Sequence, residues 1–201
     1  MTEEEARDWV ADRFTPEQRA RLDRFAAMVA DENGRQNLVS PTTLQTIWAR
    51  HMVDSLQLVD FAPADGAWMD IGTGGGFPGL VVGIVRDTAV HLVEPRRRRA
   101  EFLSAAADEL GLPHVAVHAS KVESVDERAK VISARAVASV EALVEAARHV
   151  ASRDTIWLLP RGRIGSDETA GYAKLARVFH VEQSITDPDS KIAVLRGVLG
   201  R

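Results

Sequence analysis

The sequence predicts a doubly wound α/β fold: a seven-stranded, mostly parallel sheet that ends in an antiparallel hairpin and carries a helical cap at its N-terminus. Three observations predict it. From residue 67 onward, short apolar runs alternate with amphipathic stretches, as parallel strands and their crossover helices do. Near the end that alternation stops. Residues 178–185 and 192–199 are two strand-like runs joined only by Thr186-Asp187-Pro188-Asp189-Ser190. Ahead of residue 63 the periodicity is helical throughout, so residues 1–62 are expected to form a cap packed as one unit with a main domain over 63–201.

In the cap, residues 3–13 and 16–33 read as helices. Thr15-Pro16 supplies an N-cap followed by a first-turn proline, and Leu22, Phe25 and Val29 fall on one stripe. Gly34 is the expected C-cap. Ser40-Pro41-Thr42 is a further start signal, and a helix over 43–60 would bury Leu44, Ile47, Trp48, Met52, Leu56 and Val59. In the main domain, strands are expected at 67–71, 89–94, 114–118, 131–134 and 155–159. Helices are expected at 79–85, 96–110, 139–151 and 167–177, with Gly111 closing the second of them.

Composition narrows the function. The chain has 201 residues, 45% of them apolar, enough for one domain with a real core. It has no cysteine, which excludes disulfides, thiolate zinc sites, iron–sulfur clusters and a cysteine nucleophile. At 5% aromatic residues, a broad stacking platform for single strands is not expected. The net charge is −4, and residues 1–34, with nine acids and five arginines, hold all of it; the rest has 20 of each sign. A cation that coats nucleic acid is excluded, but a local basic patch is not. No apolar run reaches the length of a membrane span and the N-terminus is acidic, so a cytoplasmic, monomeric protein without a membrane partner is expected.

The most informative stretch is Asp70-Ile71-Gly72-Thr73-Gly74-Gly75-Gly76-Phe77-Pro78-Gly79, between a predicted strand and a predicted helix. Two ligands compete for it. Gly74, Gly76 and Gly79 fit the dinucleotide spacing G-x-G-x-x-G, which would make the chain an NAD(P)-dependent oxidoreductase. Asp70 with Gly72, Gly74 and Gly76 fits D-x-G-x-G-x-G, the S-adenosylmethionine loop. The acid two residues ahead of the first glycine and the terminal hairpin favour the second, and with it the class I S-adenosylmethionine-dependent methyltransferase fold. Glu94, at the end of the second predicted strand, is placed to accept hydrogen bonds from ribose hydroxyls. Its alternative is pairing with Arg96–Arg99. That basic run reads as a nucleic-acid phosphate patch or as a solvated helix face salt-bridged to Glu101 or Asp108.

With these pieces the chain resembles the small-subunit rRNA guanine-N7 methyltransferases, once called glucose-inhibited division protein B. The resemblance runs over about residues 35–199. It is carried by Gln36-Asn37-Leu38, Arg50-His51 with Asp54-Ser55, Asp70–Gly79 with its Phe77-Pro78-Gly79 ending, Val122-Glu123 and Arg135-Ala136. It implies methyl transfer from S-adenosylmethionine to N7 of a guanine in 16S rRNA of the small ribosomal subunit. It implies Gly72, Gly74 and Phe77 at the cofactor through the first loop, Val122 and Glu123 at the adenine, and Arg135 near the methionine end, facing the acceptor base. Arg50 and His51 are implied on the RNA side, with Arg161 the phosphate-side candidate. Where the family has Lys-Gly after the fifth strand, this chain has Pro160-Arg161-Gly162-Arg163. The transfer would be an in-line displacement needing no general base, because N7 has a lone pair and no proton to lose. A non-catalytic adenosyl-binding RNA scaffold is the third reading of the same residues. No metal is expected: His114 and His118 share a strand face but stand roughly 13 Å apart by the extended rise.

Overall fold

The computed structural model describes residues 1–136 and 139–198; Leu199, the last residue of the expected final strand, lies outside them. The five apolar runs form β1 (Trp68–Ile71), β2 (Val90–Val93), β3 (Val115–His118), β4 (Val131–Ser133) and β5 (Ile156–Arg161). All five run parallel. The hairpin supplies β6 (Ala176–Gln183) and β7 (Lys191–Val198), and β7 inserts antiparallel between β5 and β6. The order is β3-β2-β1-β4-β5-β7-β6. It reverses between β1 and β4, so their carboxyl ends open a crevice at the switch point, where ligands of such sheets bind.

Among the described residues, four α-helices and two 3₁₀ turns sit on the sheet faces or between strands as the alternation requires. They are α5 (Gly79–Val85), α6 (Arg97–Glu109), α7 (Val140–Ala147) and α8 (Ser166–Leu175), with the 3₁₀ turns Val122–Ser124 after β3 and Arg148–Val150 after α7. Two apolar clusters result, one on each face. The first runs without a break from Leu22, Phe25 and Val29 in the cap to Leu80, Leu103, Val90 and Leu92. The second holds Met69, Ile132, Trp157 and Leu195. Among the described residues, no helix is long and apolar enough to cross a membrane.

The cap comprises α1 (Glu3–Arg13), α2 (Pro16–Gln36), α3 (Pro41–Leu44) and the segment up to Phe61. Thr15 caps α2 as expected, with Gln18 completing the reciprocal box. Gly34 does not end α2. The helix continues to Gln36, and Asn37 closes it in the left-handed conformation (φ 49°). Asn33 Oδ1 accepts the Val39 amide at 2.8 Å and turns the chain there. The single helix expected over 43–60 is broken. Its parts are α3, a π-helical stretch Trp48–Val53, α4 (Asp54–Leu56) and a 3₁₀ stretch Gln57–Phe61. The break has a tertiary cause: the Glu3 carboxylate accepts the Trp48 and Ala49 amides at 3.2 and 2.8 Å, taking two donors from the helical ladder. The ladder resumes in the wider register, a feature common beside functional sites. At the other end, α8 stops at Leu175 and not at 177. Pairing of Ala176 with Val198 and of Val178 with Arg196 claims those residues for the sheet.

Candidate active site

Leaving β1, the chain turns through Gly72 (φ +71°) and Gly74 (φ +60°), a backbone region that disfavours side chains. A Cβ at Gly72 would meet nothing within 4 Å, and one at Gly74 would meet Arg99 Nη1 only at 3.6 Å. The next two glycines of the motif are different. A Cβ at Gly76 would lie 2.7 Å from Phe25 Cζ, and one at Gly79 would lie 2.6 Å from Asp70 Cβ. With Gly75, whose Cβ would lie 3.1 Å from Leu38 Cβ, the run thus divides into two glycines that bare the backbone over open space and three that let the turn pack against the protein.

Two buried acids hold the turn. Asp70 accepts Ser133 Oγ at 2.6 Å and the Gly79 amide at 2.8 Å, joining β1, β4 and the start of α5. Burial pushes its carboxyl above the usual carboxylate range, against the pull of those hydrogen bonds. Glu94 accepts the Gly74 amide at 3.0 Å through Oε2 and the Arg96 amide at 2.8 Å through Oε1. It pairs with a backbone amide of the arginine run and not with its guanidinium groups. Each of its oxygens keeps a second lone pair. Val122 is buried in the second core cluster, and its neighbour Glu123 is exposed on the 3₁₀ turn. Arg97 pairs with Glu101 on the surface, as one reading of the run expects, whereas Arg99 reaches back over the glycine turn.

Next to the turn lies a cavity of about 410 Å³ lined by Arg50, His51, Asp54, Arg135, Arg161 and Arg163, among others. Phe77 joins the two. Its ring is buried, with the His51 ring centroid 4.9 Å away and the Arg135 guanidinium 5.6 Å from its own centroid. Arg135 Nη1 stands 3.6 Å from Asp54 Oδ2 and donates to the Arg50 carbonyl at 3.4 Å. Asp54 Oδ1 also accepts Thr186 Oγ1 at 3.2 Å and Gln57 Nε2 at 3.0 Å. Burial raises the Asp54 carboxyl, and Arg135 is the strongest opposing influence. Arg50 pairs with Asp187 of the hairpin turn, and Arg163 pairs with Asp189 at 3.0 Å.

Three expectations change. His51 is not an exposed RNA contact. It is 8% exposed, and neither ring nitrogen has a hydrogen-bond partner. Its pKa is pushed down to about 3 by burial first and by Arg135 and Arg50 after that. It is a neutral wall of the cavity. Arg161 lines the cavity, but its guanidinium donates to Glu168 at 2.7 Å. The histidine argument against a metal also falls. The fold sets His118 beside His91 of the neighbouring strand, and with Glu127 their ligand atoms lie within 4.8 Å of one another. Strand spacing rightly separates His114 from His118 but says nothing of partners across the sheet. Asp54, Gln57, Thr186 and Asp187 were given no role from the sequence. Only Asp54 carried a signal, its place in the Arg50-His51-x-x-Asp54-Ser55 stretch.

Comparison with known proteins gives this geometry a lineage. The family model for rRNA small subunit methyltransferase G (GidB) matches residues 18–190. Ribosomal RNA small subunit methyltransferase G of Sphingopyxis alaskensis is 44% identical, over 97% of this chain and 86% of its own. That of Erythrobacter litoralis is 42% identical, over 98% and 97%. Among solved structures, a SAM-dependent methyltransferase from Aquifex aeolicus superposes with a TM-score of 0.60 at 13% identity, covering 87% of this chain and 98% of that one, a likeness of fold. Matched by the family model over most of its length and folded on the methyltransferase sheet, the chain belongs to the rRNA small subunit methyltransferase G family and is an S-adenosylmethionine-dependent methyltransferase.

Proposed function

We propose that this chain transfers a methyl group from S-adenosylmethionine to N7 of a guanine in 16S rRNA of the small ribosomal subunit, acting in the cytoplasm as a monomer. One observation carries the reading. A glycine turn with bare backbone adjoins, through Phe77 and Arg135, a cavity lined by four arginines and large enough for a base.

The residues present fit the cofactor. Gly72 and Gly74 leave room where any side chain would intrude, and the Glu94 oxygens keep free lone pairs at the rim for ribose hydroxyls. Val122 offers an apolar wall for adenine and Glu123 a polar edge. When bound, S-adenosylmethionine supplies an electrophilic methyl group on a sulfonium. The chain has no proton to remove from N7, which is an acceptor in a paired guanine. Its work is to align the base, and alignment is worth up to about 7–11 kcal/mol in favourable cases. Arg135 is held for this by Asp54 and by the Arg50 carbonyl, with its guanidinium at the border of turn and cavity. Asp54 lines the same cavity, and its carboxylate favours the positive charge that the base acquires.

His51 is already neutral well below neutrality, so its ring does not titrate in the working range. The pH–rate profile should be nearly flat between about pH 6.5 and 9. A steep rise governed by one enzyme group would contradict the mechanism. The decisive experiment maps N7-methylguanine in 16S rRNA from cells with and without this protein. One guanine should lose its methyl group in the deletion, and an unchanged map would refute the proposal.

A further inference from the structure

We propose that His91, His118 and Glu127 form a binding site for one divalent transition-metal ion, zinc first, at the β2–β3 edge of the sheet. His91 lies within β2 and His118 ends β3. In the parallel register His91 stands opposite Ala116 and Val93 opposite His118, so alternation along each strand sends both rings to the same face. His91 Nδ1 and His118 Nε2 share a hydrogen bond at 3.1 Å, with ring planes inclined at 37°, and an ion entering between them would take the place of its proton. Two nitrogens bound to one tetrahedral zinc, each at 2.0–2.1 Å, stand about 3.3 Å apart. The pair is therefore already at ligand spacing. Both rings are half-buried and positioned by the sheet, and Glu127, exposed on a loop, already holds a carboxylate oxygen within 4.8 Å of both ring nitrogens. Two imidazoles and a carboxylate suit zinc, nickel or copper and not magnesium or calcium, and three protein ligands leave a fourth position for water.

The site has a consequence for the cofactor that rests on the function proposed above. The His118 carbonyl accepts the Glu94 amide at 3.0 Å. Val122 and Glu123 lie in the chain between His118 and Glu127. An ion joining those two ligands would fasten the adenine-side turn to the strand that presents Glu94, and so would tighten binding of the adenosyl ligand.

The test begins with the full chain free of any adenosyl compound. Titration with Co²⁺ should give saturable visible absorption of the tetrahedral type at one equivalent, and Zn²⁺ should displace it. His118→Gln and Glu127→Gln should each weaken binding more than about tenfold, since losing even an outer-shell partner of a metal site costs that much. His180→Gln, on the far strand β6, should bind as the parent does. No saturable absorption, or parent-like affinity in Glu127→Gln, whose exposed position spares the fold, would overturn the site. S-adenosylhomocysteine affinity is then measured with and without one equivalent of Zn²⁺. The expected tightening is at least about fivefold, the low end of ordinary site coupling, and it should vanish in Glu127→Gln. Equal affinity in both conditions would overturn the coupling. Absence of S-adenosylhomocysteine binding altogether would count against the cofactor reading, and the cobalt titration would still decide the metal site.

Discussion

The two halves of the candidate site are built by different means. The glycine turn is held by buried acids bonded to backbone amides and a hydroxyl: Asp70 to Gly79 and Ser133, Glu94 to Gly74 and Arg96. The arginine cavity is held by ion pairs between side chains from distant parts of the chain: Arg50 with Asp187, Arg135 with Asp54, Arg163 with Asp189. A turn fixed through its main chain keeps one shape whether or not a ligand is present. Ion pairs at a surface are individually weak and can exchange their partners for phosphates. The difference suits a small cofactor on one side and a large, variable polyanion on the other.

The largest effect should come from attacking the rigid half. Asp70→Ala would leave the buried Ser133 hydroxyl and the Gly79 amide without their acceptor. At about 1–3 kcal/mol for each of the two stranded groups, the loss should be about 2–6 kcal/mol, read from urea unfolding. The open glycines make the contrast. Gly74→Ala should cost less stability, about 1–2 kcal/mol for placing a Cβ at φ +60°, since that Cβ would meet nothing closer than Arg99 Nη1 at 3.6 Å, yet it should weaken S-adenosylhomocysteine binding. Parent-like affinity in that variant would mean that the turn does not hold the cofactor.

Arg135→Ala tests the joint between the halves. Turnover should fall about a hundredfold, the cost of removing one oriented charged donor. Stability should also fall, because Arg135 is the strongest influence favouring the Asp54 carboxylate, although Thr186 and Gln57 remain as donors; turnover is therefore compared where unfolding curves show the variant folded. Arg135→Lys should recover little, since a compact ammonium lacks the planar guanidinium that lies against the Phe77 ring. Parent-like single-turnover methylation by Arg135→Ala would remove Arg135 from the site.

The same division explains what could be read from the sequence. The strands, the hairpin and the glycine turn follow from contiguous patterns, because a turn that meets its ligand through the backbone must write its glycines in one run. The cavity is assembled from pairs such as Arg50 and Asp187, 137 residues apart, for which no local spacing exists. The broken helix shows the limit from another side. Its apolar positions fit one regular helix, and it was Glu3, some 45 residues upstream, that changed its register. His51 was named for the right neighbourhood but the wrong exposure, since burial against Phe77 is a tertiary fact.

His51 gives a smaller effect with a definite sign. Its folded-state pKa is about 3 against an ordinary 6.5, so below pH 6.5 the unfolded chain binds a proton that the folded chain refuses. The stability associated with the neutral ring is present above that value and is lost as pH falls towards 3, with a slope approaching about 1.4 kcal/mol per pH unit within the window. Asp54 acts in the opposite sense, because its raised pKa favours the folded state on acidification. His51→Phe keeps the ring against Phe77 and removes the proton. Denaturant midpoints between pH 6.5 and 4.5 should therefore fall less steeply in the variant than in the parent. Equal slopes would place His51 in contact with water.

The smallest effect should separate the cavity's outer arginines from its inner one. Arg163 and Asp189 keep side-chain exposures of 82% and 64%, so their pair is largely hydrated and Arg163→Ala should leave the unfolding midpoint unchanged. If Arg163 meets an rRNA phosphate, the variant should bind rRNA more weakly at low salt. The slope of log affinity against log salt should become shallower by about 0.7–0.9, the counterion release of one contact. Arg135→Ala should instead reduce turnover more than it changes that slope, because its guanidinium is engaged by Asp54 at the border with Phe77. Identical salt slopes for the parent and Arg163→Ala would confine RNA recognition to the inner wall, and the flexible half of the site would then begin at Arg50.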